Sequence, residues 1–294
     1  MEIRYQVFLP YPYCLNMRSF YVLFLLLQVV QLLGQSTTDS LWRIWLDKSQ
    51  ADTTRLRALQ SAAWEKLNSN PDSAAIFARM ELDYAISTGN QVWEGKALNT
   101  LGATYHVKGA YGNALNYYEK SIQILLKTGG AHSAASLYSN IGLIFREQGN
   151  TQRALDYYQK FLEIGLERQD KDILSSAYNN IGLIYSDQRN YAKALEYYQK
   201  GLAFAMGINS LYDQALLHNN IGSVYYNQNQ YNIALKAYQE SLELRQKVND
   251  VRGTALMYNN IGLVWLCCMN LVGSQIFPFP FRPQATFTDL GAAI

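Results

Sequence analysis

Paired asparagines are the residues here whose type and spacing point most directly to chemistry. Asn179-Asn180, Asn219-Asn220 and Asn259-Asn260 recur at a step of 40 residues, with Ser139-Asn140 and Asn99-Thr100 at the same places one and two steps earlier. A side-chain amide carries both donors and an acceptor, so it can pair with the backbone amide of an extended peptide. It can equally tie one helix to its neighbour. Both uses remain open at this stage.

The other reactive side chains offer less. Three histidines occur, and His218 falls where Tyr138, Tyr178 and Tyr258 stand in other copies of the period, which marks it as a packed core residue. His106 and His132 lie near expected helix ends, where solvent reaches them. Cys267 and Cys268 are adjacent, a spacing that suits neither metal binding nor an easy disulfide. Cys14 is the remaining cysteine, so residues 15–266 hold no disulfide framework and no zinc pattern, as an oxidising compartment would allow. No phosphate-cradling glycine loop, zinc-protease helix motif, nucleophile elbow or kinase signature is present. We expect no catalytic residue, no metal and no cofactor, and hence not an enzyme. The doubled tyrosines could stack on bases, but no basic groove accompanies them and their spacing puts Tyr118, Tyr158, Tyr198 and Tyr238 in a helical core.

Charge supports that reading. The 294 residues carry a net charge of +2 with 16% charged side chains. Such a chain projects no strong field, so nucleic acid is not an expected partner.

The elements that position the asparagines follow from the same period. Beside the phrase ending Asn140-Ile141-Gly142, Asn180-Ile181-Gly182, Asn220-Ile221-Gly222 and Asn260-Ile261-Gly262, a second phrase keeps step: Ala114-Leu115, Ala154-Leu155, Ala194-Leu195 and Ala234-Leu235, with Tyr118, Tyr158, Tyr198 and Tyr238 four residues after each alanine. A period of this length marks a repeat array, in which each unit is too small to bury its own apolar faces. Each unit reads as two antiparallel helices. In the third, they are expected over 172–187 and 191–206, with Arg189-Asn190 as the turn in place of Gly109-Ala110, Gly149-Asn150 and Asn229-Gln230. The absence of a side chain at Gly102, Gly142, Gly182, Gly222 and Gly262 lets the second helix approach the first, and Ala194 is the expected small partner of Gly182.

The spacing of Tyr178, Ile181, Gly182, Tyr185, Ala194 and Tyr198 resembles the tetratricopeptide repeat, over about residues 95–266. This unit is 40 residues rather than the usual 34, like the long-helix variety of kinesin light chains and bacterial signalling proteins. The resemblance implies an all-α fold, a right-handed superhelical solenoid of antiparallel helix pairs. It also implies that each unit's first helix lines a concave groove, where Asn99, Asn140, Asn179, Asn180, Asn219, Asn220, Asn259 and Asn260 would face a protein or peptide. Leu143, Leu183, Ser223, Arg146 and Tyr226 would line the same groove.

The ends depart from the pattern. The run Phe20–Leu33 is apolar apart from Gln28 and Gln31, too short for a membrane span, and fits a secretory signal peptide over 17–36 with a cut after Ser36. Residues 1–16 read as a doubtful extension before Met17. If uncleaved, the leader would be the chain's membrane contact. Residues 41–94 read as N-terminal helices with a degenerate repeat, with Leu41, Ile44, Trp45, Leu56, Leu59 and Trp64 expected in the core. Asn70-Pro71-Asp72 reads as a helix start. Four full units fill 95–254 and a fifth begins over 255–266. Residues 267–294, with Pro278, Pro280 and Pro283, read as an irregular tail from truncation or a frame change. The order of leader, degenerate repeat and array also resembles the extracytoplasmic sensing region of bacterial signalling proteins. The expected function is therefore a binding scaffold, with self-association through solenoid ends as the alternative.

Overall fold

The computed structural model describes residues 37–272. Twelve helices and no strand occur among the described residues: α1 (37–46), α2 (Asp52–Lys66), α3 (Pro71–Ser87), α4 (Gln91–Val107), α5 (Tyr111–Lys127), α6 (Ala131–Glu147), α7 (Thr151–Arg168), α8 (Lys171–Asp187), α9 (Tyr191–Gly207), α10 (Leu211–Asn227), α11 (Tyr231–Lys247) and α12 (Val251–Val272). They form two compact units, α1–α5 up to Gly130 and α6–α12 from Ala131. The extension 1–16, the leader 17–36 and the tail from 273 lie outside the described residues.

Turn chemistry sets the helix length. Gly89, Gly109, Gly129, Gly149, Gln169, Arg189, Asn209, Asn229 and Asn249 have positive φ, one every 20 residues. Glycine and asparagine take that conformation at little cost. Arg189, at φ 59°, holds it without either advantage. The following Asn190 explains why the turn still closes: its N–H reaches Tyr185 O at 2.8 Å, and its side chain accepts from the N–H of Lys193, capping α9. One residue thus ends α8 and begins α9. Asn70 caps α3 in the same way, with Pro71 in the first turn, as its sequence predicts. The helix pairs begin four residues earlier than the units drawn from sequence, at Gln91 rather than 95.

Within each pair the seam differs from expectation. A Cβ at Gly182 would lie 2.5 Å from the Tyr198 ring, and one at Gly102, Gly142 or Gly222 would meet Tyr118, Tyr158 or Tyr238 at 2.5–2.7 Å. The ring fills the gap over the glycine, and Ala194 does not. Ala114, Ala154, Ala194 and Ala234 are nevertheless fully buried one turn before each ring, where a larger side chain would hold the helices apart. The first tyrosine of each doublet has a separate job. Tyr117, Tyr157 and Tyr197 stack on Tyr105, Phe145 and Tyr185 with ring centroids 5.3–5.5 Å apart.

The degenerate unit is the α2–α3 pair, and it solves the seam differently. Ala62 stands at the glycine position and Ala78 at the tyrosine position, both buried, so a methyl replaces the gap and no ring is needed. Leu56 and Leu59 are buried as expected, but Trp64 is 43% exposed. The core face of α2 runs through Ala62 and Ala63, and Trp64 lies about 100° further round the helix, past that face.

α12 corrects the expected break after Leu266. It runs through Cys267 and Cys268 to Val272, with neither proline nor glycine between Leu263 and Val272 to interrupt it. Among the described residues no atom comes within 4 Å of a Cβ built on Gly262, the position that receives a tyrosine ring in the four preceding pairs. No helix among the described residues is long and apolar enough to cross a membrane.

Candidate functional site

The first helices of the second unit's pairs, α6, α8, α10 and α12, carry the candidate groove residues. In successive first helices, a residue faces the one 41 positions later, the period plus one. Asn180 Nδ2 donates to Ser139 Oγ at 2.9 Å, Asn220 Nδ2 to Asn179 Oδ1 at 2.7 Å and Asn260 Nδ2 to Asn219 Oδ1 at 2.9 Å. Within pairs, Asn219 Nδ2 donates to Asn220 Oδ1 at 3.2 Å and Asn179 Nδ2 to Asn180 Oδ1 at 3.4 Å. The asparagines form a continuous ladder that fixes the register of these helices. Of the two uses the sequence left open, the helix-tying one accounts for these contacts.

Burial divides the ladder's members. Asn179 is only 6% exposed, so it is a strut inside the unit. Asn180, Asn220 and Asn260 are half-buried, as is Asn140, while Asn259, next to the ladder's last residue, is exposed. Since an amide offers two N–H groups and two lone pairs, Asn180 and Asn220 each keep donor and acceptor capacity beyond the ladder. In the first unit, Asn99 has its amide oxygen buried without a partner.

The remaining groove candidates are largely engaged. Arg146 makes a two-pronged pair with Asp187, Nε to Oδ2 at 2.6 Å and an η nitrogen to Oδ1 at 3.2 Å, again 41 residues apart. Asp187 holds that guanidinium firmly in its charged form, its pKa above the usual arginine value. Ser223 donates to Asn219 O at 3.0 Å and accepts from the Tyr238 hydroxyl at 3.2 Å, so it seats the core tyrosine. The Tyr226 hydroxyl lies 3.3 Å from Cys267 Sγ, and that contact first, then burial, pushes its pKa up to about 12. Leu143 and Leu183 stay half-buried, with aliphatic surface free for a ligand. Arg146, Ser223 and Tyr226, expected as groove residues, are half-buried, and each has a partner within the unit.

His218 sits half-buried with Nδ1 2.9 Å from Glu240 Oε2. Burial pulls its pKa below the ordinary histidine value, opposed by the Glu240 carboxylate. His132 is exposed beside Asp170 at 3.1 Å. No group of three metal-ligating side chains occurs among the described residues.

A pocket of about 200 Å³ opens on the first halves of these helices, lined by Ser139, Ser175, Ser176, Asn179, Asn180, Asp213, Leu216 and Leu217. At ~30 Å³ per water it holds roughly six waters or one side chain. Sequence reasoning did not find Ser175, Ser176 or Asp213. The one available signal was Ser210 three residues before Asp213, a helix-capping pattern. Ser210 Oγ does cap α10 and donates to Asp213 Oδ2 at 2.6 Å.

These helix pairs, seams and ladder define a class of protein, the helical repeat scaffold used for protein–protein interaction. The chain belongs to the tetratricopeptide repeat family, which matches over residues 93–167, 133–206 and 213–269. No curated protein matches it. Among solved structures it is similar to a Signal Transduction ATPase with Numerous Domains protein with a tetratricopeptide repeat sensor from Pyrococcus horikoshii, at TM-score 0.63 and 16% identity, covering 83% of this chain and 38% of that one. It is also similar to BtubC from P. vanneervenii, at TM-score 0.56 and 17% identity over 86% of this chain and 94% of that one. A Rap protein complexed with Competence and Sporulation Factor matches at TM-score 0.54 and 13% identity, covering 75% of this chain and 66% of that one. At these identities the likeness is one of fold.

Proposed function

We propose that the chain is a protein- or peptide-binding scaffold whose ligand lies across α6, α8 and α10, and that it is an exported sensing or interaction module of a bacterial signalling protein. The observation that carries the binding reading is the pocket beside the asparagine ladder, which joins spare amide and hydroxyl groups to leucine surface on one face. The ladder holds those groups in place before any ligand arrives, which lowers the ordering cost of binding. The Rap protein complexed with Competence and Sporulation Factor and the repeat sensor of the Pyrococcus protein favour the same reading by fold analogy. The apolar run Phe20–Leu33 favours export.

Panning the full chain against random short peptides tests the binding reading. Ser176→Trp, at the pocket, abolishes peptide capture, whereas Gln199→Trp, exposed on the second helix of a pair, leaves it intact. Equal capture by both variants refutes the site. N-terminal sequencing of the chain from its native cell tests export, which predicts a start near Ser36; an intact leader refutes cleavage.

A second reading, self-association through the array's end, is favoured by α12. Tyr258, Leu263 and Leu266 are exposed there beside the unfilled Gly262. Sedimentation predicts a mass that rises with concentration and falls back to the monomer in Leu263→Glu. A constant monomer mass excludes it.

A further inference from the structure

We propose that the pocket between α6, α8 and α10 is a subsite for a primary ammonium group carried by the bound peptide, either a lysine side chain or a free N-terminus. The proposal rests on the binding reading above and gives its chemistry. Three observations carry it. First, Ser175 is 1% exposed, lines the pocket, and its Oγ has no hydrogen-bond partner. A helical serine ordinarily returns its hydroxyl to the carbonyl four residues back, and a buried hydroxyl left unpaired is costly. A ligand group reaching Ser175 removes that cost.

Second, the pocket's charge has one sign. Asp213 is its single acidic residue, and no lysine, arginine or histidine lines it. Ser210 occupies Asp213 Oδ2, which leaves Oδ1 for a ligand. A carboxylate or phosphate would meet that charge without a counter-cation, whereas an ammonium would be paired. Third, acceptors are open there for a group that only donates. An ammonium has three N–H groups and accepts nothing. Asp213 Oδ1, Ser175 Oγ and the spare lone pair of Asn180 Oδ1 supply acceptors. Leu216 and Leu217 flank them with apolar surface for the carbon stem, as long amphipathic side chains require. The compact ammonium suits a small pocket better than the broad planar fork of arginine.

The test uses the full chain and an array of random short peptides in four forms, with the N-terminus free or acetylated and the lysines free or Nε-acetylated. The proposal predicts that binding drops about tenfold when both are acetylated, the order expected of one charge-assisted hydrogen bond, and that blocking one source alone gives that drop only where it is the one used. The singly acetylated arms show which source is used. Asp213→Asn removes the preference while doubly acetylated peptides bind it as they bind the parent. Ser175→Ala reduces the preference while melting holds or rises, since it removes an unpaired buried hydroxyl, which keeps the test decisive if the aspartate variant loses its cap. Peptides that bind equally in all four forms, or that prefer arginine, overturn the ammonium subsite and leave the binding face standing. An array on which nothing binds overturns both.

Discussion

Asn220 donates its side-chain N–H to Asn179 Oδ1 at 2.7 Å, across 41 residues and from one repeat to the next. The same step links Asn180 to Ser139, Asn260 to Asn219 and Asp187 to Arg146. The period sets the stacking of the pairs. The extra residue reflects the lateral offset between neighbouring first helices, and the asparagines lock that offset.

Asn179→Ala therefore destabilises the chain. It removes the buried acceptor of Asn179 and leaves the half-buried Asn220 N–H without its partner, at a cost of about 1–2 kcal/mol. Asn259→Ala, exposed beside the ladder and outside the bonds described for it, stays within about 0.5 kcal/mol of the parent. Urea denaturation of the two variants checks the contrast, and equal midpoints would remove the ladder from the stability account.

The glycine seam gives a second contrast. Gly182→Ala forces a methyl to 2.5 Å from the Tyr198 ring and costs about 1–3 kcal/mol. Gly262→Ala meets no atom within 4 Å among the described residues and gains about 0.5–1 kcal/mol from helix propensity alone. Thermal melting of both variants reads the sign directly.

Glu81 makes stability depend on pH. It is fully buried, neither oxygen has a partner, and burial raises its pKa to about 9 despite the nearby Lys96. By the repeat it stands where Ser121 and Ser241 donate to Gly95 O and Ala215 O at 2.6 Å, so the neutral acid keeps a donor at a serine's position. The folded state holds this proton while the unfolded state releases it above its model value of 4.5. Glu81's contribution is thus intact below that pH and is lost as pH rises toward 9, at up to about 1.4 kcal/mol per unit. Glu81→Gln does not titrate. Denaturation at pH 4 and pH 8 should show its stability relative to the parent rising with pH; an unchanged difference contradicts the buried acid.

Arg146→Met tests a weaker link. Arg146 and Asp187 are partly exposed, with side chains 28% and 41% accessible, so solvent screens the pair. The expected loss is under about 1 kcal/mol and shrinks in high salt.

The repeat, its helix pairs and the core tyrosines were legible because periodicity writes packing directly into sequence. Asn70 likewise showed its cap, and Arg189-Asn190 its turn. Side-chain pairing between repeats was not legible. Nothing in one sequence reveals that the partner of Asn220 is Asn179 rather than a ligand, since both readings need the same amide at the same spacing. The pocket was hidden because Ser175 and Ser176 break no pattern, and a vacancy between helices depends on their lateral offset. The continuation of α12 past Leu266 was hidden because loss of the repeat signature does not itself end a helix.

The central claim is that a peptide lies across the first helices of the second unit. Backbone and asparagine side-chain NMR shifts, followed while a peptide selected by panning is titrated into the full chain, test it most directly. The account predicts shifts at Ser176, Asn180, Leu183, Asn220 and the α10 start around Asp213, with the outer faces of α7, α9 and α11 unmoved. Shifts concentrated on α7, α9 or α11 would contradict it.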